Sequence, residues 1–186
     1  MKIMYRIFLI LVICSNCFPS TSQIGNSKVW INGGYNVFKT TFNSFGLISD
    51  FVDSNYHYYF GGGHSNICNA NGELQFLSNG YFLFDKNLQL LENGDSMVHS
   101  KLIIRDQGFS NYSQASIILP FLGNKYYLFT PTASDFEVQT YWNVPMSGRA
   151  LFDELLYHVI DMNVNGGLGK VIRKKVPLLQ NVRLSK

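Results

Sequence analysis

The sequence predicts an all-β protein of short antiparallel strands, and three observations carry that expectation. Aromatic residues make up 15% of the 186 residues and charged residues only 15%, with 11 Tyr and 15 Phe dominating the aromatic set. That balance favours packed, pleated surfaces over a solvated chain. Short apolar runs also alternate with turn signals. In ELQFLSNGYFLFDKNLQLLENG (73–94), the runs LQFL, YFLF and LQLL are cut apart by Ser-Asn-Gly, Asp-Lys-Asn and Glu-Asn-Gly. Finally, YFLF, SIIL and YYLF are apolar at every position, whereas a sheet with one wet face alternates. Both faces of such strands are covered, and with no amphipathic helix in view, sheets must cover sheets.

The first 22 residues stand apart. Lys2 and Arg6 precede the apolar run IFLILVIC, and the small residues Ser20 and Ser22 follow it. A basic end, a short apolar stretch and small residues at −3 and −1 describe a secretory signal peptide. The run is too short for a bilayer core of ~30 Å, so no transmembrane segment is expected after cleavage. Removal after Ser22 leaves Gln23 first and takes Cys14 and Cys17 with it. Cys68 is then the single mature cysteine, and no internal disulfide can form. Residues 23–169 hold 7 of the 15 basic residues against all 12 acidic ones, a net of −5. The formal +3 therefore comes from the signal and from the basic stretch 170–186, and nucleic acid is not the expected partner.

In order along the chain, KVWINGGYNVFKTTF (28–42) reads as two strands about the turn at 32–34, within an N-terminal segment 23–54 whose remainder is looser. YHYYF (56–60) reads as an aromatic strand. Four runs at 65–68, 74–78, 81–84 and 88–91 follow, separated by Asn71-Gly72, Asn79-Gly80 and Asp85-Lys86-Asn87. Asn-Gly pairs are strong hairpin signals, with both residues expected at positive φ. Residues 95–114 read as a polar connecting loop. Four more strands are expected at 115–120, 125–130, 155–162 and 170–179, with a long loop at 131–150. GRALFDELLYHV also has a helical reading through Leu151/Leu155 and Phe152/Leu156, but a loop followed by a strand fits its β-branched end better.

Successive four-stranded meanders stacked face to face describe β-propeller blades, whose repeat is roughly 40–50 residues. The expectation is about two blades, 55–94 and 115–186, in an incomplete ring. A β-sandwich is the rival architecture. The residues SNICNANGELQFLSNGYFLFDKNLQLLENGD, SQASIILPFLGNKYYLFTPT and LLYHVIDMNVNGGLGKV resemble secreted Bacteroidota proteins in which an N-terminal β-propeller precedes a type IX secretion sorting domain. The likeness spans about 29–182 and rests on the order of three motifs. It implies secretion or display on the outer cell surface. It also implies O-glycosylation at Asp95-Ser96-Met97 if the host is of that phylum. Asn69 departs from the Asp common before the first turn, and no sorting domain follows RLSK. Two blades cannot close a ring, so the rest of the propeller is expected to be missing from this chain, and KVWIN to be a closing strand.

Chemistry is sparse. NGGLGKV lacks the first glycine and the hydroxyl residue of a phosphate loop and lies between strands. Asp161, Asn163, Asn165 and Gly166 match the start of a calcium loop, but Ile172 stands where its bidentate Glu belongs, so a turn suffices. His57, His64, His99 and His158 show no zinc spacing, and Cys68 reads as a buried small residue. No catalytic residue, metal ligand or cofactor is assigned. Asp85, Glu92, Asp95 and Asp106 are the acids from which a glycosidic pair would be drawn. The long loop carries Phe136, Tyr141 and Trp142, which suit stacking on a sugar ring or anchoring a surface protein; packing between blades explains them equally. The expected function is a secreted, non-enzymatic binding or adhesion module. The alternative is part of a propeller enzyme acting on polysaccharide.

Overall fold

The computed structural model describes residues 28–33, 37–52, 59–60, 63–110, 115–141, 152–182 and 184. The proposed signal segment 1–22 lies outside them, as do residues 53–58, which include most of YHYYF. Tyr59 and Phe60 are described but are not part of a strand.

Among the described residues ten strands form three antiparallel meanders. The first sheet has the order β1 (Val29–Gly33), β2 (Val37–Asn43), β3 (Gly46–Val52). The second has β4 (Ser65–Cys68), β5 (Leu74–Ser78), β6 (Leu83–Asp85). The third, of four strands, contains β7 (Ile117–Phe121), β8 (Lys125–Thr132), β9 (Glu154–Asp161) and β10 (Lys170–Leu179) in sequence order. The described residues also hold two short α-helices, α1 (Ser100–Arg105) and α2 (Asp135–Thr140), and a 3-10 turn at Asn165–Gly167.

The all-β expectation therefore holds, with four corrections. The N-terminal segment 23–54 contains a third strand, β3, in place of the looser stretch. The second sheet has three strands rather than four, because 88–91 contributes only the bridge Phe84↔Leu90. The connecting loop 95–114 contains α1, and the long loop 131–150 begins with the last two residues of β8, followed by α2. Both helices were missed for one reason: at six residues each they are too short to show a helical apolar period. The helical alternative for residues leading into β9 is set aside, since Glu154–Asp161 is strand.

The second sheet sits between the other two. On one side Ile67, Phe76, Leu83 and Leu91 pack with Ile118, Tyr126, Leu128, Ile160, Met162 and Val171 of the third sheet. On the other, Cys68, Leu74, Leu77 and Phe84 pack with Val29, Ile31 and Val37 of the first. An edge-to-face ring pair, Phe76–Tyr126 with centroids at 5.2 Å, joins the second sheet to the third, and Phe60, outside the strands, packs edge-to-face on Phe84 at 5.2 Å. Polar ties add register. Asn66 Nδ2 donates to Val29 O at 2.6 Å, and the Ser65 and Ser116 hydroxyls meet at 2.6 Å. Val171 N donates to Glu92 O at 3.0 Å. β1 thus completes no distant blade among the described residues. It heads its own hairpin and packs on β4.

The hairpin turns share a device that differs from the expected pair of positive-φ residues. Gly72 (φ 86°) and Gly80 (φ 94°) adopt left-handed backbone, but Asn71 and Asn79 do not. Instead an Asx side chain closing each strand accepts the amides that follow. Asn69 Oδ1 takes Asn71 N and Glu73 N; Asn79 Oδ1 takes Tyr81 N and Phe82 N; Asp85 Oδ1 takes Asn87 N and Gln89 N. The Asx turn supplies the reversal from the side chain. Asn69 does with its carbonyl oxygen what an Asp would do, and its amide also donates to Glu73 Oε2 at 2.8 Å.

The outermost faces of the stack remain apolar. On the third sheet Ile117, Leu119 and Phe121 are about half exposed, beside Tyr127, whose ring lies 4.8 Å from Phe121, 5.9 Å from Phe129 and 6.0 Å from Tyr157. On the first sheet Trp30, Phe38 and Phe51 are similarly open. Beyond its bridge to Glu92, the third sheet's edge strand β10 is irregular, with three register shifts, Pro177 within it and a run of basic residues, features that discourage edge pairing.

The layered core makes a contrast that urea denaturation can read. Phe76→Ala, fully buried between sheets, should cost about 3–5 kcal/mol. Phe121→Ala on the open outer face should cost about 1 kcal/mol or less. Equal losses would contradict the layered packing.

Candidate functional site

One end of the third sheet gathers the close of β8, the start of β9 and the close of β10, because antiparallel neighbours alternate direction. A cleft of about 420 Å³ opens there, lined by Ser134, Phe136, Glu137, Tyr141, Phe152, Asp153 and Asn181. Its floor is fixed by helix capping. Ser134 is the N-cap of α2, and its hydroxyl oxygen accepts from Glu137 N at 3.2 Å. Asp153, just before β9, holds Ser134 from the other side. Its Oδ1 accepts Ser134 N at 2.7 Å and its Oδ2 accepts the Ser134 hydroxyl at 2.8 Å. Val182 N donates to Asp153 O at 3.0 Å, which brings the end of β10 alongside.

Two of the three residues proposed from the sequence come together here. Phe136 stands on α2 with 73% of its surface exposed, and Tyr141 caps the helix C-terminus, donating its amide to Glu137 O. Trp142 lies outside the described residues. The sequence reading missed Glu137, Asp153 and Phe152. The signal was present: Ser134-Asp-Phe-Glu137 has the S-x-x-E spacing of a capping box, which marks a helix start and places Phe136 and Glu137 in its first turn.

Behind the cleft the inner face of the third sheet turns polar. Thr130, Thr132, Glu154 and His158 are all buried there. His99, at the N-cap of α1, meets Glu154 Oε2 at 2.6 Å, and Gln180 Nε2 donates to Glu154 Oε1 at 3.3 Å. His158 Nδ1 accepts Lys175 N at 3.1 Å, so its proton sits on Nε2 and is donated to Thr130 Oγ1 at 2.7 Å. Lys175 reaches this position through a left-handed backbone, φ 54°, inside the β10 irregularity. Above this polar strip Tyr81, Val98, Leu102, Ala133 and Val138 form a third apolar cluster that seats both helices.

The acids considered for glycosidic work are each engaged locally. Asp85 closes a turn, Glu92 pairs with Lys170 at 2.6 Å, and Asp95 pairs with Lys174 at 3.0 Å. Asp106 accepts from Arg105 Nε at 2.9 Å and from the Tyr81 hydroxyl. Asp161 accepts Asn163 N at 3.0 Å and pairs with Lys125, which is the turn reading of the calcium-like motif. Hydrogen bonding from Lys174 holds the Asp95 carboxyl below its ordinary range, and the Asn163 amide does the same for Asp161. Cys68 is buried, with its thiol pushed up by desolvation and aimed at Val29 O. Among the described residues no helix is long and apolar enough to cross a membrane.

His158 carries the clearest pH dependence. Burial, then Lys175 and Lys174, push its pKa from 6.5 down to about 3. The unfolded chain takes up this proton below its ordinary pKa while the folded chain does not, so stability falls as acid is added between the two values, by up to a few kcal/mol. Urea midpoints should drop between neutral pH and about pH 4.5, and His158→Gln should flatten that window. A midpoint constant across it in the wild-type chain would contradict the burial of a neutral imidazole. No protein-family model, curated protein or solved structure matches this chain.

Proposed function

We propose that this chain is a segment of a secreted or surface-displayed β-propeller that binds a glycan at the cleft beside α2, without catalysing a reaction on it. Three meanders stacked in sequence order, with apolar outer faces at both ends, are the arrangement that blades of a propeller need, and further sheets would cover those faces. The basic-then-apolar leader supports export, and the resemblance to type IX-secreted Bacteroidota proteins supports the outer surface as destination. The single observation that carries the binding reading is Phe136, an aromatic ring 73% exposed at the mouth of a cleft. Exposed rings in concave, polar-edged surroundings are stacking platforms for the apolar face of a pyranose.

The hydrolase reading requires two carboxylates free to act on one glycosidic oxygen and carbon. Glu137 and Asp153 both line the cleft, but each oxygen of Asp153 already accepts a hydrogen bond from Ser134, which commits it to holding the helix cap. Among the described residues Glu137 is the lining carboxylate without such a tie, which supports recognition over hydrolysis.

Isothermal titration of the full chain against a panel of neutral and charged oligosaccharides tests the reading. Binding without release of reducing ends is expected, with Phe136→Ala weakening it about tenfold, the worth of one stacked ring. Release of reducing ends would establish the enzyme instead, and binding indifferent to Phe136→Ala would remove the cleft from the account.

A further inference from the structure

We infer that Asn165-Gly166, in the turn joining β9 to β10, is a self-modifying site, where the chain converts asparagine to aspartate or isoaspartate without an enzyme. Asn32, Asn71, Asn79, Asn93 and Asn165 are each followed by glycine. The reaction needs two groups free at once: the glycine backbone nitrogen as nucleophile and the asparagine side-chain carbon as electrophile. Glycine suits it because no Cβ hinders the nitrogen or limits the rotation that aligns it. As dipeptides the pairs are equivalent. The fold makes them unequal.

In all but the last pair the backbone or the reacting groups are held. Asn32 lies within β1 opposite Phe38, where the ladder fixes an extended backbone. Gly72 N donates to Asn69 O at 2.9 Å. Asn79 is fully buried, with Oδ1 accepting Tyr81 N and Phe82 N and Nδ2 donating to Tyr59 O and Gly108 O. Its neighbour Gly80 N donates to Ser78 Oγ at 3.0 Å. Asn93 Nδ2 donates to Val171 O at 2.8 Å, its Oδ1 accepts Lys174 Nζ at 3.2 Å, and Gly94 N donates to Leu91 O at 2.7 Å.

Asn165 differs on both counts. Among the described residues neither its side chain nor Gly166 N has a hydrogen-bond partner. The bonds of this turn run from Gly167 N and Gly169 N to Val164 O, and from Leu168 N to Asn165 O. Residues 163–167 are exposed, and no atom lies within 4 Å of where a Gly166 Cβ would stand. An exposed turn of this kind opens locally at low cost.

Gly166 N, losing its proton, bonds to Asn165 Cγ; the Cγ–Nδ2 bond breaks, and the side-chain nitrogen leaves as ammonia, giving a cyclic succinimide. Water then adds to either ring carbonyl, opening the ring to aspartate or isoaspartate. Either product puts a new carboxylate close along the chain to Asp161, whose carboxyl is already tied to Asn163 and Lys125. Isoaspartate also adds a backbone carbon to the turn that sets β9 against β10.

The test is timed incubation of the full chain at mildly alkaline pH, folded and in urea, read by peptide mapping and isoaspartyl methyltransferase labelling. In the folded chain Asn165 should convert about tenfold faster than Asn71 or Asn93, the worth of one or two hydrogen bonds. In urea the rates should converge. Asn165→Asp, close in shape to the native residue, should abolish the early mass gain of the folded chain. Conversion of Asn71 or Asn93 first, or an Asn165 that stays intact while the urea-treated chain converts, would overturn the inference. An equal lead for Asn165 in urea would also overturn it, by assigning the lead to local sequence instead of the fold.

Discussion

The second sheet has no face to give to water. Phe76 and Leu83 point into one neighbouring sheet, while Leu77 and Phe84 point into the other, and all four are fully buried. A three-stranded ribbon of twelve strand residues cannot be stable alone, so its existence depends on both flanking sheets being in place. Those sheets are held in turn by ties from the middle one, at Asn66 and Ser65, and from Glu92 in the segment that follows its last strand. Burial on two sides is the constraint from which the stack follows.

That constraint has consequences at the ends of the stack. The outer faces repeat the composition of the inner ones, with Trp30 and Phe38 at one end and Leu119 and Phe121 at the other. Exposed apolar surface on this scale marks a place of contact. The polar work is concentrated elsewhere, at the strand ends, where Asx side chains close the turns and where Ser134 and Asp153 lock α2 over the third sheet. The cleft owes its shape to that lock: Phe136 and Glu137 face it because the cap fixes the first turn of the helix.

Much of this was legible in the residues. β4, β5 and β10 lie where strands were expected, at 65–68, 74–78 and 170–179. The doubly apolar run YFLF correctly implies covered faces, whereas SIIL and YYLF belong to a sheet whose outer face stays open, with Ile117 and Leu119 about half exposed. The reversals were read from the right residues with the wrong mechanism, because an Asx side chain and a left-handed backbone leave the same Asn-Gly signature. Helices α1 and α2 were not legible by periodicity, since six residues do not complete two turns. Phe136 and Tyr141 were found as aromatics in a long loop. Asp153, nineteen residues beyond its partner in the chain and tied to Ser134 only by folding, carried no local signal. The buried His158 was read as structural from its aromatic strand, and its hydrogen bonds to Thr130 and Lys175 agree.

Native-state hydrogen exchange, resolved by residue, measures the central claim most directly. If the second sheet is the layer on which the other two depend, the amides of Phe76, Leu77 and Phe84 exchange only through global unfolding. The protection they show then matches the stability from denaturant titration. Rapid exchange at those three positions, with β8 and β9 still protected, would mean that the third sheet stands without the second and that the stack is not one cooperative structure.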